Sequence, residues 1–220
     1  MRLIFATNNK HKMSEIVEIL GEKYKDFVFK MSDLNIAIDP EENGKTFLEN
    51  ATIKSTALYK EMEAKDLLKD DDYIISDDTG LCIDFLNGEP GIFSARYLGT
   101  GISQEEKNLK ILDMMKDVKD SERTAHFITV LSVIHVTDAK KHSFKNLSFD
   151  GKIEGYIAKS IEKTEGFGYD PIFAVGDTSD IGKGEVKTYS NMGILEKNKI
   201  SHRARALHNF VLFLAKKHNI

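Results

Sequence analysis

Tyr73-Ile-Ile-Ser-Asp-Asp-Thr-Gly-Leu-Cys-Ile-Asp84 sets two carboxylates side by side inside an otherwise apolar run. Tyr73–Ser76 reads as a strand and Leu81–Leu86 as another, with Asp77 and Asp78 at the exit of the first. Neighbouring like charges repel, and desolvating them beside a buried strand is costly. Strand ends are where α/β proteins gather ligands. A strand also sends successive side chains to opposite faces. One aspartate is therefore expected to face a site while the other supports the turn before Thr79-Gly80. The plainer alternative is a pair of turn-forming aspartates.

Outward from this stretch, helix and strand signals alternate. Leu3–Ala6 reads as a short buried strand. Met13, Ile16, Val17 and Leu20 fall on one helical face. Thr46-Phe-Leu-Glu49 has the form of a capping box, and the helix after it carries Phe47, Ala51, Leu58 and Met62 on one stripe. Lys65–Asp72 reads as a charged surface turn. Ser103-Gln-Glu-Glu106 opens a further helix. Phe127–Val136 is a long strand, with His142–Phe149 and Lys152–Ile161 as antiparallel partners. Ser201 caps a last helix that buries Ala204, Leu207, Val211 and Leu214. Strands mixed with helices throughout predict an α/β protein with a mixed sheet. No linker or repeat interrupts the 220 residues, so residues 1–220 are expected to form one domain.

Composition narrows the function classes. The chain is 41% hydrophobic and 30% charged, and it lacks an apolar run long enough to span a membrane. Its start, MRLIFATNNK, turns polar too soon for a signal peptide. The single cysteine, Cys82, excludes an intrachain disulfide and a cysteine-based zinc site, and it fits a reducing cytoplasm. A net charge of −4 without a basic block argues against a duplex-binding surface but leaves room for a small anion.

Four stretches can carry chemistry. At Thr7-Asn-Asn-Lys-His-Lys12 a strand ends, small polar residues turn the chain and a helix begins. Amides at a helix N-terminus favour a phosphate, and Lys10 and Lys12 add charge. An N-cap with two solvated lysines is the competing reading. Lys54 shares the stripe of Phe47 and Leu58, with Asn50 four residues before it. It either snorkels to the surface or points at an anion across a cleft edge. Asp77 and Asp78 form the third stretch. A carboxylate beside a phosphate needs a cation between them, and Mg²⁺ with oxygen ligands suits that place. Pro40-Glu-Glu-Asn-Gly44 offers a second acid. A haloacid-dehalogenase-type phosphatase needs Asp-x-Asp, which adjacent aspartates do not supply. The fourth is Gly166-Phe-Gly-Tyr-Asp-Pro-Ile-Phe173 with Ile200-Ser-His-Arg203. Phe167 or Tyr169 can stack on a base, against the alternative of an aromatic turn packed in the core. His202 and Arg203 set two cationic residues in a first helical turn, where the dipole disfavours them, which implies work other than helix stability.

Together these stretches resemble the inosine triphosphate pyrophosphatase family, the XTP/dITP diphosphohydrolases. The matching motifs are T-N-N-x-x-K at Thr7–Lys12, T-F-x-E-N-A at Thr46–Ala51 and S-D-D-T-G-L at Ser76–Leu81. They continue with G-x-P-G-I-x-S-A-R-Y at Gly88–Tyr97, G-F-G-Y-D-P-I-F at Gly166–Phe173 and E-K-N-K-I-S-H-R-x-x-A-L at Glu196–Leu207. Six motifs in order cover nearly the whole chain. The resemblance implies hydrolysis of ITP, dITP and XTP to monophosphate and pyrophosphate with Mg²⁺, by a homodimer. It also implies a long mixed sheet and a cleft between two lobes.

By the same resemblance, Thr7, Asn8, Asn9, Lys10, His11 and Lys12 hold the triphosphate with Lys54. Asp78 accepts the proton and binds Mg²⁺, and Glu41 is the second metal ligand, with Glu42 beside it. Thr79 contacts substrate, and Phe167, Gly168, Tyr169, Asp170, Lys197, His202 and Arg203 contact nucleoside and base. Two positions depart from the pattern. Asn8 stands where glycine is common, and Asn191 replaces a common acid. Physical chemistry favours the same assignment. The donors His202, Arg203 and Lys197 satisfy a 6-oxo group and meet the 6-amino group of adenine donor against donor. A non-catalytic sensor would not need the acids, and an RNA-binding module would need a basic stripe. A pyrophosphatase acting on other modified nucleotides, such as methylated pyrimidines, is disfavoured by the His-Arg pair.

Overall fold

The computed structural model describes residues 1–99, 101–161, 166–183 and 186–219. Among the described residues the strands are β1 (Arg2–Phe5), β2 (Val28–Lys30), β3 (Asp72–Ile83), β4 (Thr124–Asp138), β5 (Ser143–Ile157) and β6 (Phe173–Val175). The α-helices among the same residues are α1 (Lys10–Tyr24), α2 (Phe47–Ala64), α3 (Gln104–Met114), α4 (Tyr189–Met192), α5 (Ile194–Ile200) and α6 (His202–His218). The strands form one sheet in the order β2-β1-β3-β4-β5-β6. β1 runs parallel to β2 and β3, and β6 runs antiparallel to β5, so the sheet is mixed as expected. Among the described residues no helix is long and apolar enough to cross a membrane.

The chain divides into two compact units. The first holds Met1–Asp78, Thr129–Gly151 and the chain from Arg203 onward; the second holds Thr79–Ile128 and Lys152–His202. In the first unit, alternation along β3 decides which side chain meets which helix. Tyr73 and Ile75 pack with Met13, Ile16 and Leu20 of α1 and with Leu207, Phe210 and Leu214 of α6. Ile74 packs on the other face with Leu58 and Met62 of α2. The second unit has its own core, in which Leu81, Ile83, Ile111, Phe127, Ile157, Tyr169, Phe173 and Tyr189 meet.

The structure corrects several expectations. β3 does not stop at Ser76 but runs unbroken through Ile83, so Asp77 and Asp78 lie within a strand and Thr79-Gly80 is no turn. Flanking strands and helices keep this polar stretch extended, overriding the turn propensity of Asp and Gly. The two strands expected over 142–161 are one, β5, ending at Ile157. Asp72 is fully buried rather than part of a surface turn, because Arg2 meets it with two nitrogens at 2.8 and 2.5 Å. Val17 is exposed; the buried face of α1 continues to Tyr24 instead. Thr46 caps α2 by accepting the Glu49 N–H, but the Glu49 carboxylate reaches the Lys45 N–H, one residue earlier than a capping box requires. The full box forms at Ser103 and Glu106, at the start of α3.

Arg123 is a buried cation in the second unit. Its guanidinium donates to the carbonyls of Met115 (2.6 Å), Ile157 (2.8 Å) and Ala158 (2.8 Å), tying the end of α3 to the end of β5. The forked donors make this possible, and a lysine, whose donors all radiate from one nitrogen, cannot match this spread of carbonyls. Arg123→Lys is expected to lower the unfolding free energy by about 2 kcal/mol in urea denaturation, the scale of a lost charge-assisted hydrogen bond.

Candidate active site

The first unit gathers the charged residues of the first three motifs. Because Tyr73 and Ile75 face α1 and α6, Asp77 faces the same way; because Ile74 faces α2, so do Ser76 and Asp78. Ser76 donates to the Ala51 carbonyl of α2. Asp77 pairs with Lys12 of α1 at 2.9 Å and with Arg203 of α6 at 3.3 Å. Arg203 also pairs with Glu15, three residues after Lys12 on α1. Glu15, Asp77 and Arg203 are thus buried together, with Lys12 half-buried beside them. Burial alone would raise the Asp77 carboxyl, but Lys12, Arg203 and Lys54 overcome it and hold Asp77 well below the ordinary carboxylate range.

Asp78 sits in a different field. Its Oδ2 accepts from Asn50 at 3.3 Å, and its Oδ1 is 3.8 Å from Lys54. Burial dominates here and raises its pKa, despite the pull of Lys54 and Lys12, and Glu42 pushes the same way as burial. One strand therefore presents a permanently ionised aspartate on one face and a more basic one on the other. Of the two, Asp78 has the chemistry better suited to take a proton. Lys54 is held 3.3 Å from Glu42. Of the two neighbouring glutamates, Glu42 is the one that reaches the cluster, while Glu41 is exposed.

The opening loop is built by its own asparagines. Asn9 caps α1 by accepting the N–H groups of His11 (3.0 Å) and Lys12 (3.1 Å). Thr7 Oγ1 accepts the Asn9 N–H, and the Asn8 amide donates to the Ile38 carbonyl. Asn8 needs no positive φ to stand where glycine is common. Lys10 and His11 are exposed, and Lys12 is turned inward to Asp77.

The second unit holds the 166–170 loop through several side chains. The Asp170 carboxylate accepts the Phe167 N–H at 2.8 Å and pairs with Lys197 of α5 at 2.7 Å. Tyr169 is packed in the core and donates to the Ser94 carbonyl at 2.8 Å. Asn108 of α3 donates to the Gly168 carbonyl at 3.1 Å. Of the two aromatics expected to stack on a base, only Phe167 keeps part of its ring accessible. His202 lies flat on Phe127, with centroids 4.6 Å apart, and near Tyr189. Asn191 lies within α4; its side-chain amide donates to the Val186 carbonyl and its N–H to the Thr188 cap. Thr79 is half-buried in this unit.

The consecutive residues His202 and Arg203 thus divide, His202 among aromatics of the second unit and Arg203 among carboxylates of the first. Sequence reasoning assigned no role to Glu15, Asn50 or Asn108. Glu15 left a trace: a charge set between Met13 and Ile16 on the apolar face of α1 calls for a buried partner.

The Ham1 family model matches residues 3–213. A dITP/XTP pyrophosphatase of Clostridium perfringens is 42% identical over 209 residues, covering 94% of this chain and 93% of that protein. One from Thermoanaerobacter pseudethanolicus is 36% identical, covering 99% and 98%. Among solved structures, the Staphylococcus aureus Ham1 protein matches with a TM-score of 0.77 at 33% identity, covering 99% of this chain and 100% of that one. A HAM1 protein from Coxiella burnetii gives 0.75 at 32%, covering 98% and 99%. By motif order, fold and near-complete matching, the chain belongs to the Ham1 family.

Proposed function

We propose that this chain hydrolyses non-standard purine nucleoside triphosphates, dITP, ITP and XTP, to the monophosphate and pyrophosphate. In the cytoplasm this clears them before they reach DNA or RNA. The observation that carries the reading is Asp78: a buried carboxylate of raised pKa beside Lys54, in a chain so similar to named dITP/XTP pyrophosphatases. Water attacks, its proton passes to Asp78, and the bond between the α and β phosphates breaks with pyrophosphate as leaving group. Lys12 and Lys54 neutralise phosphate charge, and the Asn9 cap holds the helix N-terminus in place for it. Asp77 keeps Lys12 oriented without competing for the proton.

Mg²⁺ fits the donor chemistry. Among the described residues no three His, Cys, Asp or Glu side chains converge on a metal-holding group. Mg²⁺ does not need such a cage, being commonly held by one or two carboxylates plus substrate phosphates and water. Asp78 and Glu42, each near Lys54, would supply those oxygens, with Glu41 beside Glu42 in the chain. When bound, the ion neutralises developing phosphate charge and makes water more acidic.

Phe167 is the stacking surface, and His202 and Lys197 of the same unit are the donors that favour a 6-oxo group. His202→Ala is expected to narrow the preference for ITP over ATP roughly tenfold, the value of about one unpaired buried polar group. An unchanged ratio of kcat/KM values removes His202 from base reading. Assembly as a homodimer belongs to the same reading, by resemblance to the family.

Product analysis tests the reaction class. With Mg²⁺ and ITP, XTP, GTP or ATP, the expected products are pyrophosphate and monophosphate from the first two, far faster than from the others. Orthophosphate and diphosphate, or equal rates on all four, contradict the reading.

A further inference from the structure

Asn50 is fully buried in α2, one helical turn before Lys54. Its Oδ1 accepts the Gly44 N–H at 2.9 Å, and its Nδ2 donates to Asp78 Oδ2 at 3.3 Å. We propose that Asn50 is a positioning residue for the hydrolysis, fixing the Asp78 carboxylate through the 40–44 turn. The inference rests on Asp78 being the proton acceptor.

The chemistry of an amide makes this link directional. A backbone N–H can be met only by the amide oxygen, and an ionised carboxylate only by the amide NH₂. Gly44 therefore dictates which end of Asn50 faces Asp78. A flipped amide would set NH₂ against N–H and oxygen against carboxylate. With Oδ2 so engaged, Asp78 turns Oδ1 toward Lys54. The turn can approach this closely only because residue 44 is glycine: a Cβ there would lie 2.7 Å from Asn50 Oδ1 and 2.7 Å from Glu49 Cβ. The same turn carries Glu42, whose carboxylate is 3.3 Å from Lys54. One side chain thus holds in register the turn bearing Glu42 and the strand bearing Asp78, from the helix bearing Lys54. A residue with only a packing role would need neither polar end aimed in this way.

The test is steady-state hydrolysis of ITP by Asn50→Leu, Asn50→Asp and Gly44→Ala, beside Asp78→Asn. Leucine keeps the volume and loses both hydrogen bonds. Aspartate keeps the bond to Gly44 but turns an acceptor toward Asp78. Gly44→Ala disturbs the other end of the link while leaving Asn50 and Asp78 intact. A small misplacement of a reacting group costs up to about 10²-fold. The two Asn50 variants are expected to lose kcat by about 10- to 100-fold, and Gly44→Ala by about tenfold, with KM changed less than about threefold. Asn50→Leu combined with Asp78→Asn is expected to be no slower than Asp78→Asn alone, since both act on one group.

Wild-type kcat in Asn50→Leu and Asn50→Asp, with Asp78→Asn inactive, would overturn the positioning role and leave Asp78 as base. Equal effects on kcat and 1/KM, tracking a loss in melting temperature, would overturn it in favour of plain packing. Full activity in Asp78→Asn would instead remove the base assignment beneath it. If Asn50→Leu fails to fold, Gly44→Ala and Asn50→Asp decide by the same split.

Discussion

Arg203→Ala is expected to lower the unfolding free energy by roughly 3–5 kcal/mol, because it strips the cation from two buried carboxylates. Arg203 is 2% exposed and donates to both Glu15 and Asp77. Without it, Glu15 loses this ion pair while Asp77 keeps the one to Lys12. The linkage gives the loss a pH signature. The folded-state pKa of Asp77 is held below its unfolded value, so its contribution is present above about pH 3.9 and is lost as pH falls below that. In Arg203→Ala the depression shrinks, so acid unfolding begins at higher pH than in wild type. Urea denaturation over a pH series measures both effects. A residue engaged only in reading the base would alter selectivity and leave stability untouched.

Asp78→Asn is expected to reduce pyrophosphate release from ITP by about 10²–10⁴-fold, the usual contribution of a general base. Asparagine is nearly isosteric but cannot take a proton. On the proposed reading, substrate is held by Lys12, Lys54 and the nucleoside contacts, so KM is expected to change far less than kcat. The same substitution is expected to raise the melting temperature at neutral pH. The folded-state pKa of Asp78 is raised, chiefly by burial, so the fold favours its neutral form and gains stability as pH falls through that pKa. At neutral pH the ionised carboxylate is held against that preference, and the amide relieves it. Loss of activity together with gain of stability marks a residue kept for chemistry.

Much of the fold was legible because apolar periodicity is a direct record of burial. Met13, Ile16 and Leu20, or Leu207 and Leu214, cannot be exposed together at helical spacing without cost. The error at Ser76 has an equally physical origin. Aspartate, threonine and glycine favour turns locally, but lysine, arginine and asparagine side chains from three helices compensate the two carboxylates and keep β3 extended. No local propensity encodes partners that lie so far off in the chain. The motif residues were legible as a set, while their individual tasks were not. Arg203 and Lys197 read as donors for a base, yet each is paired with a buried carboxylate. Tyr169 read as a stacking ring, yet its ring belongs to the core. Glu42 rather than Glu41 meets Lys54, a choice that two adjacent identical residues could not reveal.

The most direct test of Asp78-dependent hydrolysis is pyrophosphate release from ITP with Mg²⁺, wild type beside Asp78→Asn, with both proteins shown to be folded. Rapid release of pyrophosphate by wild type, nearly abolished in a folded and more heat-stable Asp78→Asn, is the expected result. Turnover in Asp78→Asn equal to wild type would contradict it and require another group to take the proton of the attacking water.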